Sequence, residues 1–159
     1  MQTEKFDSID LQILEELQAH GRTKRNELAE KVKLSIPAVS ERLRKLEERG
    51  IIRSFTAVLE ARKVGLEVTA YIFVMVDSST FYPQIIERAT SHPEILECHA
   101  ITGEGSHIIK ARTQSTASLE KLLSQIQSWP GVHNTRTSIV LSSPKETTIL
   151  PLAHLTPAS

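Results

Sequence analysis

Residues 23–55 read TKRNELAEKVKLSIPAVSERLRKLEERGIIRSF. Two short runs with helical spacing flank Lys33-Leu34, and the second run closes at Gly50 before a short β-branched stretch. Leu28, Ala29 and Val32 share one face of the first run, and Val39, Leu43 and Leu46 recur at i, i+4 and i+7 in the second. Ser35 is a good N-cap and Pro37 falls in the first turn, where its missing N–H costs nothing. Gly50 is a helix stop. This is the pattern of a helix-turn-helix followed by a small wing over Ile51 to Glu60, with a second helix shaped to enter a DNA major groove.

Working outward, Ile9, Ile13, Leu14 and Leu17 fall on one face of a helix over Ser8 to His20, ended by Gly21. Residues 1–60 are therefore read as the winged helix-turn-helix domain, and residues 61–67, with Gly65, as a linker. The pattern then changes. VTAYIFVMV, residues 68–76, is apolar on both faces and reads as a central strand. A helix over Tyr82 to Ser91 follows, with Ile85, Ile86 and Ala89 inward. Strands over Ile95 to Thr102 and His107 to Thr113 flank the turn Gly103-Glu104-Gly105-Ser106. A helix over Ser118 to Ser128 ends at Trp129-Pro130-Gly131, and a last strand spans Val132 to Ser143. The order β-α-β-β-α-β predicts a ferredoxin-like sandwich over residues 68–144. The fold class is thus α+β. The tail, residues 145–159, is rich in Pro, Thr and Ser, and is read as loose or as one short strand over Thr147 to Leu150.

Charge is segregated by element. The chain has 19 basic and 19 acidic residues, a formal net charge of zero. Glu4 to Glu16 holds five acids against one Lys, and His20 to Arg53 holds ten Lys/Arg against five Asp/Glu. The half after Glu60 balances at eight against eight. A local basic face, not the total, is what meets phosphate.

With Val39 placed inward on its helix, Ile36, Leu43 and Leu46 face the core, and Pro37, Glu41, Arg44, Lys45 and Glu48 face out. Bases are met by the N-terminal residues of such a helix. Pro37, Ala38, Ser40 and Glu41 are therefore candidates for base contact, and Arg44 and Lys45 for base or phosphate. Ser35 and the free N–H groups of the first turn suit a phosphate. Lys24, Arg25 and Arg53 suit the DNA backbone. Arg42 lies on the flank and is read as an internal ion pair. A winged helix that docks protein instead of DNA is the rival reading of the same face.

Other chemistry finds little support. The six His residues show no metal-ligand spacing, and no metal site is expected. Cys98 is the single cysteine, so there is no intrachain disulfide. No nucleophile elbow or phosphate loop is present, and no enzyme is expected. The N-terminus is not a signal peptide, and no apolar run has the length of a membrane span. A cytoplasmic protein without cofactor or membrane partner is the expectation.

Both halves in order resemble the Lrp/AsnC (feast/famine) family of transcriptional regulators. The N-terminal resemblance lies in FDSIDLQILEELQAHGR and LSIPAVSERLRKLEERGIIRSFTAVLEARKVGL. The C-terminal one lies in ITGEGSHIIKART and LEKLLSQIQSWPGVHNTRTSIVL. The resemblance implies double-stranded DNA as partner. It implies a homodimer formed through the sandwich (its RAM-type domain), often assembled further into tetramers or octamers, and an amino acid or other small-molecule effector held between dimers near the turn. Gly103, Glu104, Ser106, His107, Thr135 and Thr137 are the pocket candidates. Ser106 stands where the family commonly has Asp. Serine cannot supply that charge, so two alternatives stay open, a different effector or none. An architectural protein that coats DNA without an effector is the alternative function; the zero net charge disfavours it.

Overall fold

The computed structural model describes residues 6–155, which form two compact units. One comprises the described residues up to Val58 together with those from Lys145 onward, and the other is Leu59–Pro144.

The first unit is built on α1 (Ser8–Ala19), α2 (Arg25–Val32) and α3 (Ile36–Glu48). Each start is capped. The Asp7 carboxylate accepts from the Ile9 and Asp10 N–H groups at 3.0 and 2.8 Å. Glu27 reaches back to the Lys24 N–H at 3.1 Å, and Ser35 Oγ accepts from Ala38 at 3.3 Å. These bonds satisfy donors that a helix start leaves orphaned. The tight turn between α2 and α3 needs a left-handed residue, and Lys33 adopts it with φ 56°. Ile13, Leu14, Leu28, Ala29, Val32, Val39, Leu43 and Leu46 form the core, as the periodicity requires. Leu11 joins the buried set although the helical pattern did not single it out.

Three expectations are corrected here. Ile36, placed inward by the helical wheel, is 49% exposed, because it occupies the first position of α3, beyond the packed stripe. The wing is absent as a strand. Ile51 and Ile52 pack on the core and both donate to the Leu46 carbonyl, but residues 53–60 pair with no strand among the described residues. A hairpin needs a turn and a returning strand; here the chain runs instead into a 3₁₀ turn, Ala61–Val64. The tail is neither strand nor loose over its described part. It returns to the helical unit, where Leu152 packs on the core. The Gln18 side-chain amide pairs with the Leu150 backbone in both directions, at 3.1 and 2.7 Å.

The second unit contains β1 (Val68–Val76), α4 (Tyr82–Ser91), β2 (Ile95–Ala100), β3 (His107–Thr113), α5 (Thr116–Gln127) and β4 (Val132–Ile139). The sheet is antiparallel with order β2-β3-β1-β4, the ferredoxin-like arrangement. β2 and β4 stop short of the expected Thr102 and Ser143. Ala70, Ile72, Val74, Ile109 and Ala111 lie in one core with Ile85, Ala89, Leu119, Leu122, Ile126 and Trp129. Trp129 anchors the end of α5 in that core. Ile86, expected inward, is exposed; at one residue past Ile85 it is turned off the stripe that meets the sheet. Tyr71, Phe73 and Met75 alternate onto the opposite face of β1 and are half-buried.

Candidate nucleic-acid interface and effector turn

α3 presents the residues that the sequence assigns to DNA. Pro37, Glu41, Arg44 and Lys45 are exposed, and Ala38 and Ser40 lie half-buried on the flanks. Ser35 uses an oxygen lone pair to cap the helix, which leaves its hydroxyl proton for another acceptor. Lys24 and Arg25 are exposed at the start of α2, and Arg53 is exposed beyond α3. Arg42 is not on this face. Its Nη1 donates to Asp7 and Asp10, both at 2.7 Å, so it ties α3 to α1. The outward cations of α3 are themselves engaged. Arg44 makes a forked pair with Glu41 at 2.7 and 2.9 Å and also contacts Glu48. The Arg44 guanidinium, by hydrogen bond and charge, holds the Glu41 carboxyl at about 2.

The effector candidates divide into two groups. Glu104 pairs with Arg136 of β4, whose guanidinium lies 4.7 Å from the Phe73 ring. Ser106, His107 and Thr135 lie elsewhere, around Val74, which pairs with His107 on one side and Thr135 on the other. Thr135 Oγ1 accepts from Gln127 of α5 at 2.9 Å, and Thr137 pairs with Ile72, two residues along β1 from Val74. Gly103 and Gly105 turn the chain with φ 96° and 95°. Gly105 passes so close to β1 that a Cβ there would sit 3.1 Å from the Val74 carbonyl oxygen.

Ser106 is tied to β1 and to His107. Its N–H and its Oγ both donate to the Val74 carbonyl, at 2.9 and 3.1 Å. Oγ also lies 2.9 Å from His107 Nδ1, and because a hydroxyl has one proton, Nδ1 is the donor of that contact whenever Oγ donates to Val74. His107 is 1% exposed, its ring meets Tyr82 edge-on at 4.8 Å, and Nε2 has no partner among the described residues. Burial pushes its pKa below the ordinary histidine value.

Residues 6–53 match the winged helix-turn-helix DNA-binding family, and residues 69–150 match the Lrp/AsnC ligand binding domain. The chain belongs to the Lrp/AsnC family of transcriptional regulators. This Lrp/AsnC regulator is 36% identical over 147 residues to the HTH-type transcriptional regulator FL11 of Pyrococcus horikoshii, covering 92% of this chain and 97% of that one. It is 34% identical over 146 residues to the leucine-responsive regulatory protein of Escherichia coli, covering 89% and 88%. Among solved structures, it is similar to the transcriptional regulator NMB0573 of Neisseria meningitidis in complex with L-Met. That match has a TM-score of 0.89 and 34% identity, and covers 95% of this chain and 99% of that one. E. coli AsnC matches with a TM-score of 0.86 and 30% identity, over 93% and 100%.

The regulator's turn also involves residues that sequence reasoning passed over. Arg136 neutralises Glu104, Tyr82 covers His107, and Gln127 holds Thr135. Arg136 was findable, since it alternates with Thr135 and Thr137 and must therefore face the other side of β4. Tyr82 carries no such signal; it meets His107 only because α4 begins beside the first residue of β3. Among the described residues no group of acids, His and Cys could hold a metal ion, and no helix is long and apolar enough to cross a membrane.

Proposed function

We propose that this regulator binds a pseudo-palindromic DNA site as a homodimer in the cytoplasm, by binding and not by catalysis. α3 of each subunit enters the major groove, with the two helices roughly 34 Å apart. The observation that supports this most directly is the outward face of α3, where Pro37, Glu41, Arg44 and Lys45 are solvent-exposed on a helix whose other face packs through Val39, Leu43 and Leu46. Lys24, Arg25, Ser35 and Arg53 hold phosphates, while Ala38 and Ser40 border the base edges. The half-buried row of large side chains Tyr71, Phe73 and Met75 supplies the dimer surface on the sheet. Tetramers or octamers assemble from such dimers.

The sandwich takes a small-molecule effector, which favours one assembly state by binding it more tightly. The L-Met complex of the Neisseria relative supports an amino-acid-sized ligand. Ser106 brings no charge to the turn, so an effector bound there lacks the ammonium recognition that an Asp would offer.

The deciding experiment measures binding of the purified protein to the DNA upstream of its own gene and to a scrambled duplex, across a salt series. A preference for the former near physiological salt supports site-specific regulation. Equal binding that vanishes with salt supports the architectural alternative. Replacing Arg44 and Lys45 together by Ala should abolish the preference, and equal weakening on all sequences would assign them to phosphate alone.

A further inference from the structure

The outward face of α3 carries two acids and two bases in direct contact. Arg44 Nε and Nη2 donate to the two oxygens of Glu41 at 2.9 and 2.7 Å. Nη1 contacts Glu48, and Lys45 Nζ lies 3.6 Å from Glu41. Each of these side chains is about half exposed, 49% for Glu41 and 53% for Arg44. An exposed cluster of this kind adds little to stability, so the fold does not require it. Its effect falls on recognition. The face has no net charge, so it offers little general attraction to phosphate, although it lies in the most basic part of the chain.

The guanidinium has two usable edges. The Nε–Nη2 edge is committed to Glu41, a planar two-bond clasp that fixes the plane of the group. The other edge, at Nη1 and the second Nη2 proton, meets only Glu48, one turn further along α3. A guanidinium edge matches the O6 and N7 acceptors of guanine in the major groove. We infer that Arg44 reads a guanine with its outer edge, that Glu41 is the residue that positions it, and that Glu48 is the internal competitor displaced when the base arrives. The inference rests on the reading of α3 as the base-reading helix and adds the base, the edge and the role of the two acids.

The low proton affinity of the Glu41 carboxyl means that the clasp persists at any pH where DNA binding is measured. The two acids should behave oppositely when neutralised. Glu41→Gln releases Arg44 and Lys45 to the phosphates, whereas Glu48→Gln removes only the competitor.

The test is selection of binding sites from a randomised duplex pool, with the full-length wild type and with Glu41→Gln, Glu48→Gln and Arg44→Lys, followed by salt titrations on the selected site. The wild type should enrich one guanine per half-site with a preference of about tenfold to a hundredfold. Arg44→Lys keeps the charge but loses the fork, and should lose that guanine with an unchanged salt slope. Glu41→Gln should also lose it, bind unselected DNA more tightly, and steepen the slope by about one to two units. Glu48→Gln should keep the guanine and tighten the selected site. A guanine that survives in both Arg44→Lys and Glu41→Gln, or a slope unchanged in Glu41→Gln, overturns the inference and leaves site-specific binding intact. A wild-type pool that enriches no motif overturns site-specific binding itself, and this inference with it.

Discussion

The Arg42 guanidinium lies 2.7 Å from the Asp10 carboxylate, joining the flank of α3 to the first turn of α1. The same nitrogen reaches Asp7 at 2.7 Å, so one side chain links the cap of the first helix to the helix that presents Glu41 and Arg44.

Replacing Arg42 by Ala should destabilise the helical unit by roughly 1–2 kcal/mol, the scale of a partly buried charge-assisted bond. Asp7 is held below its ordinary value, first by the Asp10 backbone N–H and also by Arg42. A depressed carboxylate pKa adds stability above the unfolded value of 3.8, and that stability is lost as pH falls through the folded value. Urea unfolding at pH 7 and at pH 3 should therefore show a smaller Arg42→Ala penalty in acid. An equal penalty at both would remove the ion pair as its cause.

His107 predicts a second pH effect at a higher range. Burial lowers its pKa from 6.5, so the unfolded chain takes up a proton before the folded one does. The sandwich should lose stability as pH falls below about 6.5. His107→Phe keeps a ring against Tyr82 and removes the titration. Thermal unfolding between pH 8 and 5 should show the wild type falling and the variant flat over the range in which histidine titrates. Parallel curves would refute the assignment.

Gly131 follows the end of α5 with φ 80°. A Cβ there would lie 2.3 Å from the Phe81 ring. Gly131→Ala should cost about 1–3 kcal/mol from backbone strain and overlap together. Adding Phe81→Ala should remove the ring overlap at 2.3 Å but neither the 2.7 Å contact with the Phe81 Cβ nor the strain, so a double-mutant cycle should show positive coupling and only partial rescue. Additive losses would show that the ring contributes nothing to the cost.

The returning tail should matter to α1. Ending the chain at Pro144 removes Leu152 from the helical core and the Leu150 backbone from Gln18. Hydrogen exchange at the α1 amides should accelerate by a factor that corresponds to roughly 1–3 kcal/mol. Gln18→Ala should give part of that effect in the full chain and none in the shortened one. Unchanged exchange after truncation would show that the tail only rests on the helix.

The helices and the cap of α3 were legible in the linear chain, because local bonds and a 3.6-residue period make them. Ser35 and Pro37 sit at the start of α3, where side-chain and missing-donor chemistry act over three residues, whereas Asp7, the cap of α1, was not singled out. The β-α-β-β-α-β order could be read likewise, since strand and helix periods differ. What lies far apart in sequence could not be read. Nothing near Gln18 announces Leu150, 132 residues away. Nothing near Ser106 shows that its hydroxyl is spent on Val74, a pairing that depends on the register of β1 with β3. The wing failed for a related reason. An alternating apolar stretch states that a strand is compatible with residues 51–60, but a strand exists only with a partner. Periodicity is a property of neighbours, and it assigned elements and faces. Pairing is a property of chain segments brought together in space, and it assigned partners and the two-sided layout of the turn.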